Sequence, residues 1–228
     1  LLVYDALNKI LSKNKILAPK LYSENYIKNY IEIQDFGNET FFKVLNRKKN
    51  NRYVYFKKII KVLEQIQLIK NRKIKKFKSK NYKIPIYSNK VLIEEANLFC
   101  DWYVKKNLPK SNQNKFIKEF KKIIKKLTFN LKLKNDVFVH RDFHVSNLML
   151  INNQVGVIDS QDALIGNRAY DLASLIDDVR FRTSRSLKNK IYKLYINRKI
   201  KLDKTKFKND FEILSILRNL KIIGIFTR

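Results

Sequence analysis

Residues 139–151, VHRDFHVSNLMLI, contain both histidines of the 228-residue chain, set around an Arg-Asp pair. Asp142 is the one carboxylate in this stretch, Asn147 follows it, and Asp159 closes the later apolar run VGVID. An aspartate on a loop between two strands can orient a hydroxyl and accept its proton, while an asparagine oxygen and a second carboxylate at neighbouring strand ends suit Mg²⁺. That ion prefers hard oxygen ligands and takes few from protein. The chemistry such a set would perform is transfer of a phosphoryl group to an alcohol. Two rival readings are weaker. A zinc pair at His140 and His144 would need a helix and further ligands, but the flanking runs are strand-like and the chain has no third histidine. A simple polar turn between hairpin strands does not explain the joint spacing of His140, Asp142, Asn147 and Asp159. His140 is expected to organise the loop rather than react, and His144 either to approach substrate or to pack against the following strand.

The elements that must hold these residues are short β pieces, VFVH, NLMLI and QVGVID, separated by polar loops. Helices surround them. Residues 1–14 carry Leu2, Ala6, Leu7, Ile10 and Leu11 at helical spacing, and NYIEIQD alternates as a strand leading into a turn at Gly37. A long amphipathic helix is predicted over 52–69, followed by the basic run NRKIKKFKSKNYKIPIYSNK, broken by Pro85 and read as a solvated connection. Ser88 is placed to cap a helix over 89–102, another spans about 113–127, and helical periodicity returns at Asp171 and continues to the end. No internal repeat is evident.

Composition bounds the partners. With 45% hydrophobic residues the chain can bury a sizeable core, and its one cysteine, Cys100, cannot form an internal disulfide. The net charge of +30 comes mostly from lysines scattered through nearly every segment rather than from arginines and aromatics grouped at a base-reading surface. Nucleic-acid binding is therefore expected to be non-specific if it occurs at all. No apolar run is long enough for a membrane span, and the default location is cytoplasmic.

The run His140-Arg141-Asp142 with Asn147 matches the H-R-D-x-x-x-x-N catalytic-loop pattern of the kinase fold. Together with LAPKLY, IEIQDFGNETFF, IPIYSNKVLIEEANLFCDWYV, VGVIDSQDALIGNRAYDLASLIDD and RNLKIIGIF, it resembles the aminoglycoside phosphotransferase-like small-molecule kinases. Within that group the likeness is to bacterial anomeric kinases of N-acetylmuramate and N-acetylglucosamine, which serve cell-wall recycling. The resemblance implies an α+β protein-kinase-like fold. Residues 1–46 would belong to the nucleotide lobe and hinge, and residues 47–228 would form a mainly helical catalytic and substrate lobe with a small β insert. It further implies ATP and Mg²⁺ as cofactors and an N-acetylated amino sugar as acceptor. Choline, an aminoglycoside or another small alcohol is the enzymatic alternative, and a basic nucleic-acid-binding or scaffold protein with a relic motif is the other.

The resemblance assigns roles residue by residue. Asp142 would be the base, with His140 and Arg141 in the catalytic loop; Asn147 and Asp159 would hold the metal; the backbone of Glu32, Ile33, Gln34 and Asp35 would meet adenine. Asp171 would accept hydrogen bonds from the catalytic-loop backbone, a helix N-cap being its plainer role. His144, Gln161, Asp162, Glu95 and Trp102 are the acceptor-site candidates, although Trp102 also fits the apolar stripe of its helix. Ser160 and Asn167 depart from the family pattern, which carries an aromatic after the metal aspartate and a proline after the glycine. No glycine-rich loop or strand lysine precedes the hinge, so the chain is expected to start within the nucleotide lobe and to continue past Arg228. Residues 1–228 alone are expected to turn over little sugar and to associate through an exposed face of Leu2, Leu7 and Leu11.

Overall fold

Helix α1 (Leu2–Lys13) forms where the apolar spacing predicts it, and the stripe of Ala6, Leu7, Ile10 and Leu11 is buried. The expected exposed leucine face is corrected: Leu7 and Leu11 lie in the main core with Ile16 and Ala18. The apolar stripe has found a partner surface within the chain itself. The side chain of Leu2 falls outside the described part of the computed structural model, which covers residues 2–25, 27–70, 72–75, 81–199 and 201–228.

After α1, strands β1 (Leu21–Asn25) and β2 (Tyr30–Ile33) pair antiparallel. Helix α2 (Phe41–Arg47) starts at Thr40, whose hydroxyl accepts from the Lys43 N–H at 3.3 Å. This helix runs across the lobe boundary expected at 46/47. Helix α3 (Arg52–Gln67) buries Phe56, Ile59, Ile60, Leu63 and Ile66 at helical spacing. The basic connection is more ordered than its composition predicts. Within it β3 (Lys73–Lys75) pairs antiparallel with β4 (Asn81–Lys83), while 71 and 76–80 lie outside the described residues.

Ser88 caps α4 (Asn89–Leu98), accepting from Val91 N–H as its sequence position predicts. The helix then widens into a π-helical segment, Phe99–Val104, continues as α5 (Lys105–Asn107), and is followed by α6 (Lys110–Phe129). The β insert comprises β5 (Asn135–Val139), β6 (Leu148–Ile151), β7 (Gln154–Val157) and β8 (Leu164–Asn167). Strand β5 pairs antiparallel with β8, and β6 with β7. Helices α7 (Ala169–Ile176), α8 (Arg185–Asn197) and α9 (Lys204–Thr227) complete the fold.

The β6–β7 hairpin is the platform for the site. Val157 N–H donates to Leu17 C=O at 2.8 Å on one side, and Leu150 N–H donates to Glu39 C=O at 2.8 Å on the other. Phe36 rests on Gly156, where an added Cβ would come within 2.9 Å of the ring. The segment after β2 is thereby pressed onto the strand that leads to Asp159. Among the described residues no helix is long and apolar enough to cross a membrane.

Candidate active site

Strand β5 ends at Val139, and the loop that follows is held from below by α7. The buried Asp171 carboxylate accepts from His140 N–H at 2.7 Å and Arg141 N–H at 3.0 Å. Arg168, not Asp171, occupies the cap of α7, so Asp171 acts from inside the first turn. Burial pushes its carboxyl up to about 7, opposed by the two backbone donors. Arg141 adopts φ of +77°, a left-handed conformation that non-glycine residues rarely take, and those two bonds fix it there.

The rest of the loop closes on itself. The Asp142 carbonyl accepts from His144 N–H at 3.0 Å and from Asn147 Nδ2 at 3.1 Å. His140 is fully buried with Nε2 at 3.0 Å from the Ile158 carbonyl, a bond that ties the loop to the segment carrying Asp159. Burial lowers the pKa of this ring. Ile158 N–H in turn donates to Asn147 C=O at 3.1 Å. Asp142 and Asp159 are thus set by one continuous hydrogen-bonded frame.

Asn147 and Asp159 meet directly. Asn147 Nδ2 donates to Asp159 Oδ2 at 3.3 Å, and Gln161 Nε2 donates to Asp159 Oδ1 at 2.7 Å. Because the Asn147 amide nitrogen is engaged, its side-chain oxygen is the atom left for a ligand. Asp159 is exposed, has φ of +64°, and pairs with no lysine or arginine among the described residues of this cation-rich chain. No group of three or more His, Cys, Asp or Glu side chains converges among the described residues. Two protein oxygens, with phosphate and water supplying the rest, fit Mg²⁺.

These residues form one end of a cleft of ≈ 540 Å³ that also takes in Tyr4, Pro19, Phe36, Gly37, Met149 and Ile158. Of the expected hinge residues, Ile33, Gln34 and Asp35 line it; Glu32 does not, its carboxylate accepting from Ser23 Oγ at 2.9 Å across the hairpin. The volume is that of a cofactor-sized site. Tyr4 was not singled out in the sequence, where it reads as an ordinary helical residue. Its neighbour Asn8 was also missed: Asn8 Oδ1 accepts from the Ser160 hydroxyl at 2.7 Å, and Asn8 Nδ2 donates to Pro19 C=O at 3.2 Å. Ser160, one of the two departures from the family pattern, therefore fastens α1 to the residue beside Asp159. Asn167, the other, donates to Asp210 at 2.6 Å and lies away from the cleft.

The acceptor-site candidates separate. Gln161 braces Asp159. Glu95 is committed to Arg141, to Lys221 at 3.3 Å and to the Tyr87 hydroxyl. Asp162 is exposed and lies 3.6 Å from Arg141 Nη1. His144 is buried, and desolvation drops its pKa to about 4. Trp102 is 39% exposed, sits on the π-helical segment with the Arg228 guanidinium over its ring, and does not line the small cavity at Asp142. That cavity is instead lined by Tyr170, Arg180, Arg218, Lys221 and apolar residues of α9. Arg218 and Lys221 belong to RNLKIIGIF, a segment the sequence flagged only as a resemblance.

A family model described as phosphotransferase enzyme family matches residues 4–198. The N-acetylmuramate/N-acetylglucosamine kinase of Neisseria meningitidis is 28% identical over 205 residues, covering 87% of this chain and 59% of the relative. The enzyme of that name from Pseudomonas aeruginosa is 28% identical over 218 residues, covering 92% and 61%. The chain thus spans about three-fifths of the length of these curated relatives. Among solved structures, a gentamicin complex of the aminoglycoside phosphotransferase APH(2")-IIa superposes with TM-score 0.62 at 18% identity, covering 97% of this chain and 77% of the other. Plasmodium vivax ethanolamine kinase gives 0.59 at 18%, covering 95% and 62%. The fold is protein-kinase-like, with the α+β make-up expected of the sequence. With most of its length matched and its catalytic-loop spacing intact, the chain belongs to the phosphotransferase enzyme family.

Proposed function

We propose that the protein is an ATP-dependent kinase that phosphorylates a sugar hydroxyl, the anomeric one of N-acetylmuramate or N-acetylglucosamine. The observation that supports it most is the shared frame that sets Asp142 beside one cavity and Asn147 with Asp159 at the end of another. Residues 1–46 would contribute the nucleotide side of the larger cleft, and residues 47–228 the catalytic and acceptor side. Adenine would lie along Ile33, Gln34 and Asp35. Asp159 and the Asn147 side-chain oxygen would hold Mg²⁺, which when bound neutralises charge on the phosphates.

Asp142 would orient the acceptor hydroxyl and take its proton as the oxygen attacks the terminal phosphorus and the bond from that phosphorus to the bridging oxygen breaks, releasing ADP. His140 and Asp171 would act through the loop: Asp171 holds the His140 and Arg141 N–H groups just ahead of Asp142, and the His140 ring ties the loop to the Ile158 carbonyl. The sugar identity comes from the names of the relatives at 23–28% identity. The test is a phosphorylation screen of the full-length gene product across N-acetylated amino sugars, aminoglycosides, choline and ethanolamine. ATP-dependent sugar 1-phosphate is expected. Product formed only from an amino alcohol or an aminoglycoside would reassign the acceptor.

A further inference from the structure

In the cavity at Asp142 the chain buries a cation that no carboxylate among the described residues pairs with directly. Arg218 is 3% exposed, yet its one hydrogen bond among the described residues is a long 3.4 Å contact from Nη1 to the Asp177 carbonyl. No carboxylate lies within ion-pair distance of it among the described residues. A buried guanidinium normally has an anionic partner, because desolvating the charge is costly unless it is paired. Arg218 shares its cavity with Lys221 and Arg180, so three cations face one carboxylate, Asp142. Lys221 is partly satisfied by Glu95 at 3.3 Å, and Arg180 makes only a 3.9 Å approach to Asp178. The cavity measures ≈ 50 Å³, a few times the roughly 10–15 Å³ that admits one water, which suits a carboxylate and not a whole sugar.

We infer that Arg218, with Arg180 and Lys221, forms a carboxylate pocket that selects an acid-bearing acceptor at Asp142. The inference rests on the proposed sugar-kinase reading and deepens it. N-acetylmuramate carries a lactyl carboxylate that N-acetylglucosamine lacks, so the pocket distinguishes the two. Ile222, Ile225 and Phe226 give the same cavity an apolar wall, of which Ile222 is buried. A planar guanidinium can grip a carboxylate through two parallel bonds, a geometry that lysine cannot reproduce.

The test uses the full-length protein, with kcat/KM measured for both sugars in the parent, in Arg218→Lys and in Arg180→Gln. The Arg180 side chain is 40% exposed and makes only the 3.9 Å approach to Asp178 and a contact over the exposed Phe226 ring, so its loss should leave the fold intact. The ratio of N-acetylmuramate to N-acetylglucosamine kcat/KM is expected to fall at least tenfold in both variants, carried mainly by KM. Equal losses for the two sugars would overturn the pocket, since the arginines would then serve the phosphate or the fold; an unaltered ratio would overturn it too. If the parent phosphorylated neither sugar, the proposed function would fail by itself. The pocket would then be read by thermal-shift titration with N-acetylmuramate and its neutral methyl ester. Stabilisation by the acid alone, weakened in Arg180→Gln, supports the pocket, and any other pattern contradicts it.

Discussion

His144 shows how a single residue reports its surroundings. The ring is buried two residues beyond Asp142 in sequence, and its Nδ1 has no hydrogen-bond partner among the described residues. Desolvation lowers its pKa to about 4; Asp178 opposes the shift, while Arg180 and Arg218 reinforce it. The neutral imidazole is therefore the native form. Because the folded pKa lies below the unfolded value of about 6.5, the unfolded chain binds more protons between those values. The contribution is fully present above about pH 6.5 and is lost as pH falls through about 4. We predict that the stability advantage of the parent over His144→Asn shrinks by up to about 3 kcal/mol between pH 7 and pH 4. Denaturant unfolding at a series of pH values measures it, and a difference independent of pH would place His144 in a solvated setting. Asp171 titrates with the opposite sign, its contribution being lost as pH rises through about 7, but it is common to both proteins and cancels in the comparison.

At the scale of elements, the crossing of α9 over α4 holds the cationic cavity in place. Gly224 lies against the backbone where α4 gives way to the π-helical segment: an added Cβ would fall 2.4 Å from the Leu98 carbonyl carbon and 2.7 Å from Phe99 N. Backbone cannot yield as a side-chain tip can. Gly224→Ala is expected to cost about 1–3 kcal/mol through overpacking and to lower Tm by several degrees. An unchanged Tm in differential scanning calorimetry would show that the two helices separate freely. This contact was not legible in the sequence, because IIGIF reads as a plain apolar run and the partner lies more than a hundred residues away. The same holds for β8, whose LIGN is too short and mixed to announce a strand until β5 pairs with it, and for α2, whose polar flanks hide a capped helix. What was legible is local. The Ser88 cap, the apolar stripes of α1 and α3, and the strands around the catalytic loop follow from spacing alone. Within the site, the juxtaposition of Asn147 with Asp159 matches the motif spacing, whereas the Asn8–Ser160 tether and the burial of Arg218 arise from tertiary packing.

For the molecule as a whole, the charge of +30 is spread over many exposed lysines; besides the cations at Asp142, others line a separate pocket, among them Lys132, Lys134, Arg168, Lys201 and Lys206, with no aromatic residue beside them. Scattered lysines neutralise phosphates without reading bases, so RNA binding is expected to be weak, indifferent to sequence and steeply reduced by salt. A filter-binding titration that found one RNA held tightly at physiological ionic strength would favour a nucleic-acid role instead. The central claim is that the fold exists to place Asp142 against an acceptor hydroxyl, and its most direct test is the Asp142→Asn variant of the full-length protein assayed for turnover, Tm and ATP affinity together. Replacing one carboxylate oxygen by an amide nitrogen would remove the proposed base and leave the loop's backbone bonds in place, because Asp142 contributes to them through its carbonyl. The account predicts that kcat falls by about 10²–10⁴-fold, or below detection, while Tm and ATP affinity stay close to the parent values. Turnover within tenfold of the parent would contradict it.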